Sequence, residues 1–202
     1  MLSIDDSYEQ LIQREWDHLS RPGTWLDGER RVGVAAAARA ARNGETARAP
    51  IQAALVEAAR RLTVEPATVT LEWIEALAAE GLDGLTYIEV LGICSRLAAV
   101  DTFLYGIGQP ERPLPTAVAG SPTNAQVPEA ELNGGFAPTV GPASPLSALS
   151  AIPPGREAMF DLHETFYLSL PEMGQLDIVK DLDRAQLELC AARTSALNEC
   201  FF

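Results

Sequence analysis

The chain has 202 residues, 47% of them apolar but only 6% aromatic, and a formal net charge of −13. That length suffices for one sizeable core or two small ones. The basic residues are almost all arginine, with Lys180 the only lysine, and they form no clustered positive field of the kind a phosphate backbone needs, so no nucleic-acid partner is expected.

Alanine is abundant and apolar residues recur three and four apart, whereas β-branched runs of period two are hard to find; an all-α helical bundle is expected. No stretch approaches the roughly 18 consecutive apolar residues that a bilayer requires, so no membrane partner is expected. The start, MLSIDDSYEQ, lacks a basic region followed by an apolar core and does not read as a secretory signal. Cys94, Cys190 and Cys200 are too few and too scattered for a disulfide framework, and the cytoplasm is the expected compartment.

The first helix is predicted over Tyr8 to Leu19, from a one-sided apolar stripe with Asp6 or Ser7 as cap, ended by Pro22-Gly23. Asp27 caps a second through GERRVGVAAAARAAR, which Asn43-Gly44 terminates. In and beyond it, Arg39, Arg42 and Arg48 read as one solvated face. Pro50 suits the first position of a third helix, which runs to about Leu62. A fourth spans about Thr70 to Glu80, and a fifth, longer one runs from Thr86 to Leu104.

Between Gln109 and Pro154 sit ten of the fourteen prolines, which forbid long helices. Residues 1–108 are therefore expected to form one helical half, 109–143 a linker or surface wrap, and 144–202 the start of a second half. Helices resume over Pro154 to Leu168 and again from about Asp181. In the last of them Leu187, Cys190, Ala191, Thr194 and Leu197 form an apolar face, and a break is expected at Asn198. Sliding the chain by 155 residues lays Val32 to Glu45 on Leu187 to Cys200, with Asn43 on Asn198. A duplication is expected from this, with Gly33 standing in the first copy where Glu188 stands in the second.

Glu188 and Cys200 are the candidate catalytic pair. A thiol acts as nucleophile only as thiolate, which a helix N-terminus stabilises, and a desolvated carboxylate on the preceding helix serves as proton acceptor. The structural alternative is a buried apolar cysteine and a solvated helical glutamate. His163, at helical spacing with Phe160 and Tyr167, is an accessory candidate, against its reading as a hydrogen-bonded structural residue. His18 has no acid or cysteine cluster around it and reads as surface; Cys94 and Cys190 read as core. No spacing specifies a metal or cofactor site.

The final fifteen residues bear most directly on function. E-L-C-A-A-R-T-S-A-L-N-E-C-F-F resembles the motif of the alkylhydroperoxidase D-like and carboxymuconolactone decarboxylase superfamily. Its peroxidase members carry a Glu, eleven intervening residues and Cys-x-x-Cys followed by a His. Glu188, Ser195, Asn198 and Cys200 match that pattern, and GTWLDGERR…AAAARAAR and YIEVLGICSRLAAVDTF are similar to the first half of a longer, duplicated subgroup.

The resemblance implies an alkylhydroperoxidase-type bundle and a thiol- or selenol-dependent hydroperoxide reductase. It implies a hydroperoxide substrate, an unidentified thiol reductant, a homo-oligomer and no cofactor beyond a redox-active chalcogen pair. Some relatives look like selenoproteins, with selenocysteine, encoded by UGA, as the second chalcogen. That position follows directly on Phe202, so the chain is expected to end one residue before the peroxidatic group, with Cys200 as resolving thiol and Glu188 in the proton relay. Little peroxidase activity is expected of the 202 residues alone. Two alternatives stay open: a cysteine-independent lyase of the same superfamily, and a non-catalytic helical scaffold for oligomerisation or binding.

Overall fold

The computed structural model describes residues 4–47 and 49–198. The fold is all-α, with eight α-helices among the described residues and one two-stranded ribbon. The chain divides into two compact units, Met1–Met159 and Phe160–Phe202.

In the first unit, α1 (Asp6–Ser20) starts two residues earlier than the stripe suggested, because the cap is Asp5, whose side chain accepts from Ser7 N at 2.9 Å. Leu11, Ile12 and Leu19 are its buried apolar residues. Next comes α2 (Gly28–Arg42), capped by Asp27, whose carboxylate accepts from Arg30 N at 2.8 Å, and ended by Asn43. Its buried positions are mostly small, among them Gly33, Ala35, Ala37 and Ala38, and α3 (Ala53–Val64) answers with Ala54, Ala58 and Ala59. Small side chains let two helix backbones approach closely, and α2 and α3 are in extensive contact.

The expected start of α3 at Pro50 is displaced to Ala53. Gln52 occupies the cap position without a side-chain capping bond; its amide donates instead to Glu80 O at 2.6 Å. That carbonyl follows α4 (Leu71–Ala79), whose own cap is Thr70. A 3-10 turn, Pro66–Thr68, precedes α4. The longest helix, α5 (Gly84–Gly106), opens with Asp83 accepting from Thr86 N at 2.8 Å. It packs on α2, α3 and α4 and buries Ile88, Val90, Ile93, Leu97, Val100 and Leu104. Full burial of such side chains contributes roughly 1.5–3 kcal/mol each.

Arg39 and Arg42 are not a solvated face. They pair with the buried Asp101 of α5 at 2.7 and 2.9 Å and so tie α2 to α5; Arg48 lies outside the described residues. Helical spacing shows only that two arginines share a side of α2, whereas their partner arrives from about sixty residues away.

The proline-rich segment is laid over the helices of the first unit by backbone hydrogen bonds. Trp16 Nε1 donates to Pro113 O at 2.7 Å, Val118 N to Ser20 O at 2.8 Å, and Asn124 N to Thr24 O at 2.8 Å. Carbonyls of the segment accept from side chains of the helical layer, Trp16 and Arg39, while its own N–H groups donate to carbonyls at and after the end of α1. Its one ribbon pairs β1 (Ala130–Glu131) antiparallel to β2 (Thr139–Val140), with Ala130 opposite Val140. The division into units falls inside α6 (Pro153–Phe166).

In the second unit, α7 (Leu170–Met173) is a short helix absent from the periodicity reading. At its start the Glu172 carboxylate accepts from Ser169 N at 2.7 Å and from Ser169 Oγ at 2.8 Å. The last helix, α8 (Arg184–Leu197), begins at Asp183, whose side chain accepts from Gln186 N at 2.9 Å. It ends at Asn198, where the break was expected.

Candidate functional site

The C-terminal site is built on α8. Glu188 lies one turn beyond Arg184, and their side chains pair at 2.7 Å. The Tyr167 hydroxyl donates to Glu188 Oε1 at 2.6 Å. Desolvation, then the hydrogen bond to Glu188 and the charge of that carboxylate, raise the phenol above its ordinary value. Glu188 is nevertheless 48% exposed at its side chain, so it is oriented without being desolvated.

His163 reaches the same tyrosine from α6. Its ring stands edge-on to Tyr167 with centroids 5.3 Å apart, and Nδ1 lies 2.6 Å from Leu168 O. A carbonyl only accepts, so Nδ1 carries the proton, and in the neutral ring Nε2 is left as acceptor. The structure thus brings Glu188 and His163 to opposite parts of one side chain, Tyr167, which sequence reasoning had not singled out. The helical spacing of His163 and Tyr167 was the available signal; the 21-residue step from Tyr167 to Glu188 had none.

At the far end of α8, the Asn198 backbone N–H donates to Thr194 O and its side-chain amide does so at 2.9 Å. Cys200 lies outside the described residues, so the geometry reaches only as far as this cap. Cys190 was expected in a core and is exposed instead. On α8 it is Arg184, Leu187, Ala191 and Ser195 that are half-buried, while Leu189 and Leu197 are 70% and 69% exposed. Cys94 is buried, as expected, and burial pushes its thiol up to about 12.

A second constellation lies in the first unit and was not legible in sequence. Arg31 of α2 and Glu89 of α5, each with 3% of its side chain exposed, form an ion pair. The other Glu89 oxygen accepts from Trp25 N at 2.6 Å, and Arg31 also donates to His18 O at 2.9 Å. Beside them Arg96 of α5 pairs with Glu15 of α1 at 3.0 Å and donates to Gly155 O at 3.3 Å. Gly23 passes so close that a Cβ there would lie 1.9 Å from Glu89 Oε1. These charges, with the last turn of α1 and the loop after it, wall a cavity of about 350 Å³.

His18 lines this cavity, contrary to its reading as a surface residue. Burial, then the positive charges of Arg96 and Arg31, push its imidazole down to about 3, so the ring is neutral at physiological pH. Isolation in sequence says nothing about what α5 places beside a side chain.

Comparison of the chain with protein-family models, curated proteins and solved structures matched nothing. Among the described residues no group of three or more His, Cys, Asp or Glu side chains is placed to hold a metal ion, and no helix is long and apolar enough to cross a membrane.

Proposed function

We propose that the chain belongs to a chalcogen-dependent hydroperoxide reductase whose redox centre is built around Cys200, which follows α8 in the sequence. The observation that carries this reading is the oriented carboxylate of Glu188, held by Tyr167 and Arg184 on the helix that leads to Cys200. It is reinforced by the resemblance of the Glu188-to-Cys200 spacing to the peroxidase motif. α2 and α8 also share an Asp at the N-cap and an Asn at the C-cap, with cap φ and ψ of −83° and 1° in one and −92° and 7° in the other. The Asn caps coincide in the 155-residue register while the Asp caps fall one residue out of it, and the coincidence of the ends favours two copies of one helical unit, of which only the second carries the glutamate.

In the proposed reaction a selenolate or thiolate, the second chalcogen of Cys-x-x-Cys, attacks the terminal oxygen of a hydroperoxide. The O–O bond breaks, the alcohol leaves with a proton, and a selenenic or sulfenic acid forms. The Cys200 thiol condenses with it, creating a chalcogen–chalcogen bond and releasing water, and an external dithiol restores both groups. Glu188 and Tyr167 move the proton that accompanies these steps, and His163 keeps Tyr167 in place. The apolar side chains that α8 leaves exposed favour the oligomeric assembly that the resemblance implies.

The test is hydroperoxide consumption, with a dithiol as reductant, by protein translated through the codon after Phe202. Turnover is expected, abolished by Cys200→Ser and lowered about a hundredfold in kcat/KM by Glu188→Gln, the usual scale for removing a general acid–base group. Turnover that both variants leave intact would refute the assignment.

A further inference from the structure

The cavity lined by His18 and Arg31 shares no residue with that redox site, and its arginine-rich lining contrasts with the net charge of the chain. The chain as a whole carries −13, yet four arginines (Arg14, Arg21, Arg31 and Arg96) line this one cavity, against the two carboxylates of Asp17 and Glu89. Neutral His18 adds nothing to either side. The carboxylates are already engaged: Glu89 accepts from Arg31 and Trp25 N, and Asp17 Oδ1 from Gln13 at 2.9 Å. Arg31 and Arg96 are offset by Glu89 and by Glu15 behind it, so the positive charge on offer to a ligand is chiefly that of Arg21, in a partly enclosed space where charge is screened less than on open surface.

Two further observations show that the donors here are not all used. Arg31 is 97% buried by its 3% exposure, and its Nε has no hydrogen-bond partner among the described residues; nor has the buried Nε2 of His18. A buried donor left unpaired costs about 1–3 kcal/mol, more where the group is charged. Arg21, at the rim, makes no ion pair among the described residues. Pro22, Ile152 and Pro154 supply apolar wall between these polar groups. A cavity of about 350 Å³ lies within the range of small-molecule sites.

We infer that this cavity binds a small organic carboxylate, its oxyanion meeting Arg21 and its hydrocarbon part lying against Ile152 and Pro154. Guanidinium groups match a carboxylate in planar, charge-assisted hydrogen bonds, and the apolar wall favours a ligand with a carbon skeleton over a bare inorganic ion.

Butyrate and succinate serve as probes, with inorganic phosphate and chloride as controls at matched ionic strength, read by thermal shift and isothermal calorimetry. One or both carboxylates should raise Tm and give a saturable heat, more tightly than phosphate and with no response to chloride. Arg21→Ser should leave the Tm of the ligand-free protein unchanged, since Arg21 is exposed and unpaired. It should weaken binding about tenfold, the loss of one charge-assisted hydrogen bond. Arg21→Glu should abolish binding. No saturable carboxylate binding at millimolar concentration would overturn the inference. So would binding of phosphate alone, or binding that both Arg21 variants leave untouched. Cys200→Ser should bind the probes as the wild type does, so a failure of the redox reading leaves this site standing.

Discussion

Glu89 and Arg31 show how a single residue can be indispensable without adding net stability. Each is almost wholly desolvated, and each makes a further hydrogen bond with backbone, Glu89 accepting from Trp25 N and Arg31 donating to His18 O, although Arg31 Nε is left without a partner among the described residues. Removing one partner strands the other charge. Glu89→Ala should therefore destabilise the protein by about 3–5 kcal/mol, whereas replacing both partners by apolar residues of similar size, Arg31→Met with Glu89→Leu, should cost much less. Chemical denaturation of the single and double variants separates the two outcomes; equal losses would mean that the pair, and not the stranded charge, sets the stability.

His18 adds a pH dependence whose sign follows from its burial. Its imidazole titrates near pH 3 in the folded protein and near 6.5 in the unfolded chain. Between those values the unfolded state binds the extra proton, so the stabilisation present above pH 6.5 is lost progressively as pH falls toward 3. His18→Asn should flatten the acid limb of Tm against pH between roughly 6 and 4 relative to the wild type. A variant as steep as the wild type across that window would show that carboxylates alone set the slope.

Among the elements, α2 was legible to the residue because its punctuation is local: Asp27 begins it and Asn43-Gly44 ends it. The start of α3 was not, since Gln52 spends its side chain on the carbonyl of Glu80, a partner no short-range pattern reveals. The small helix α7 had left a signal, Ser169 three residues before Glu172, that apolar periodicity overlooks in so short a segment. Crossings between elements were invisible altogether. Gly28 opens α2 where the proline-rich segment passes, and a Cβ there would lie 2.4 Å from Ser20 O and 2.6 Å from Val118 O, both backbone atoms. Gly28→Ala should lower stability by about 1–3 kcal/mol despite the better helix propensity of alanine, because neither backbone can yield without breaking the Val118–Ser20 hydrogen bond. A rise in Tm would mean that this segment moves aside at no cost.

For the whole molecule, composition was a sound guide to class and a poor one to site. Alanine-rich helices with one-sided stripes made the all-α fold readable, motif spacing pointed to Glu188, and helical spacing pointed to His163. What joins those two, Tyr167, and what fills the first unit with paired charge both depend on contacts across 21 to 81 residues of chain. The proposed redox centre of Glu188 and Cys200 requires a second chalcogen directly after Phe202. Reading the gene through that codon tests it most directly. UGA, UGC or UGU is expected there, followed in frame by a His and an amphipathic helix. UAA, UAG or any other sense codon would contradict it, leaving Cys200 without its partner.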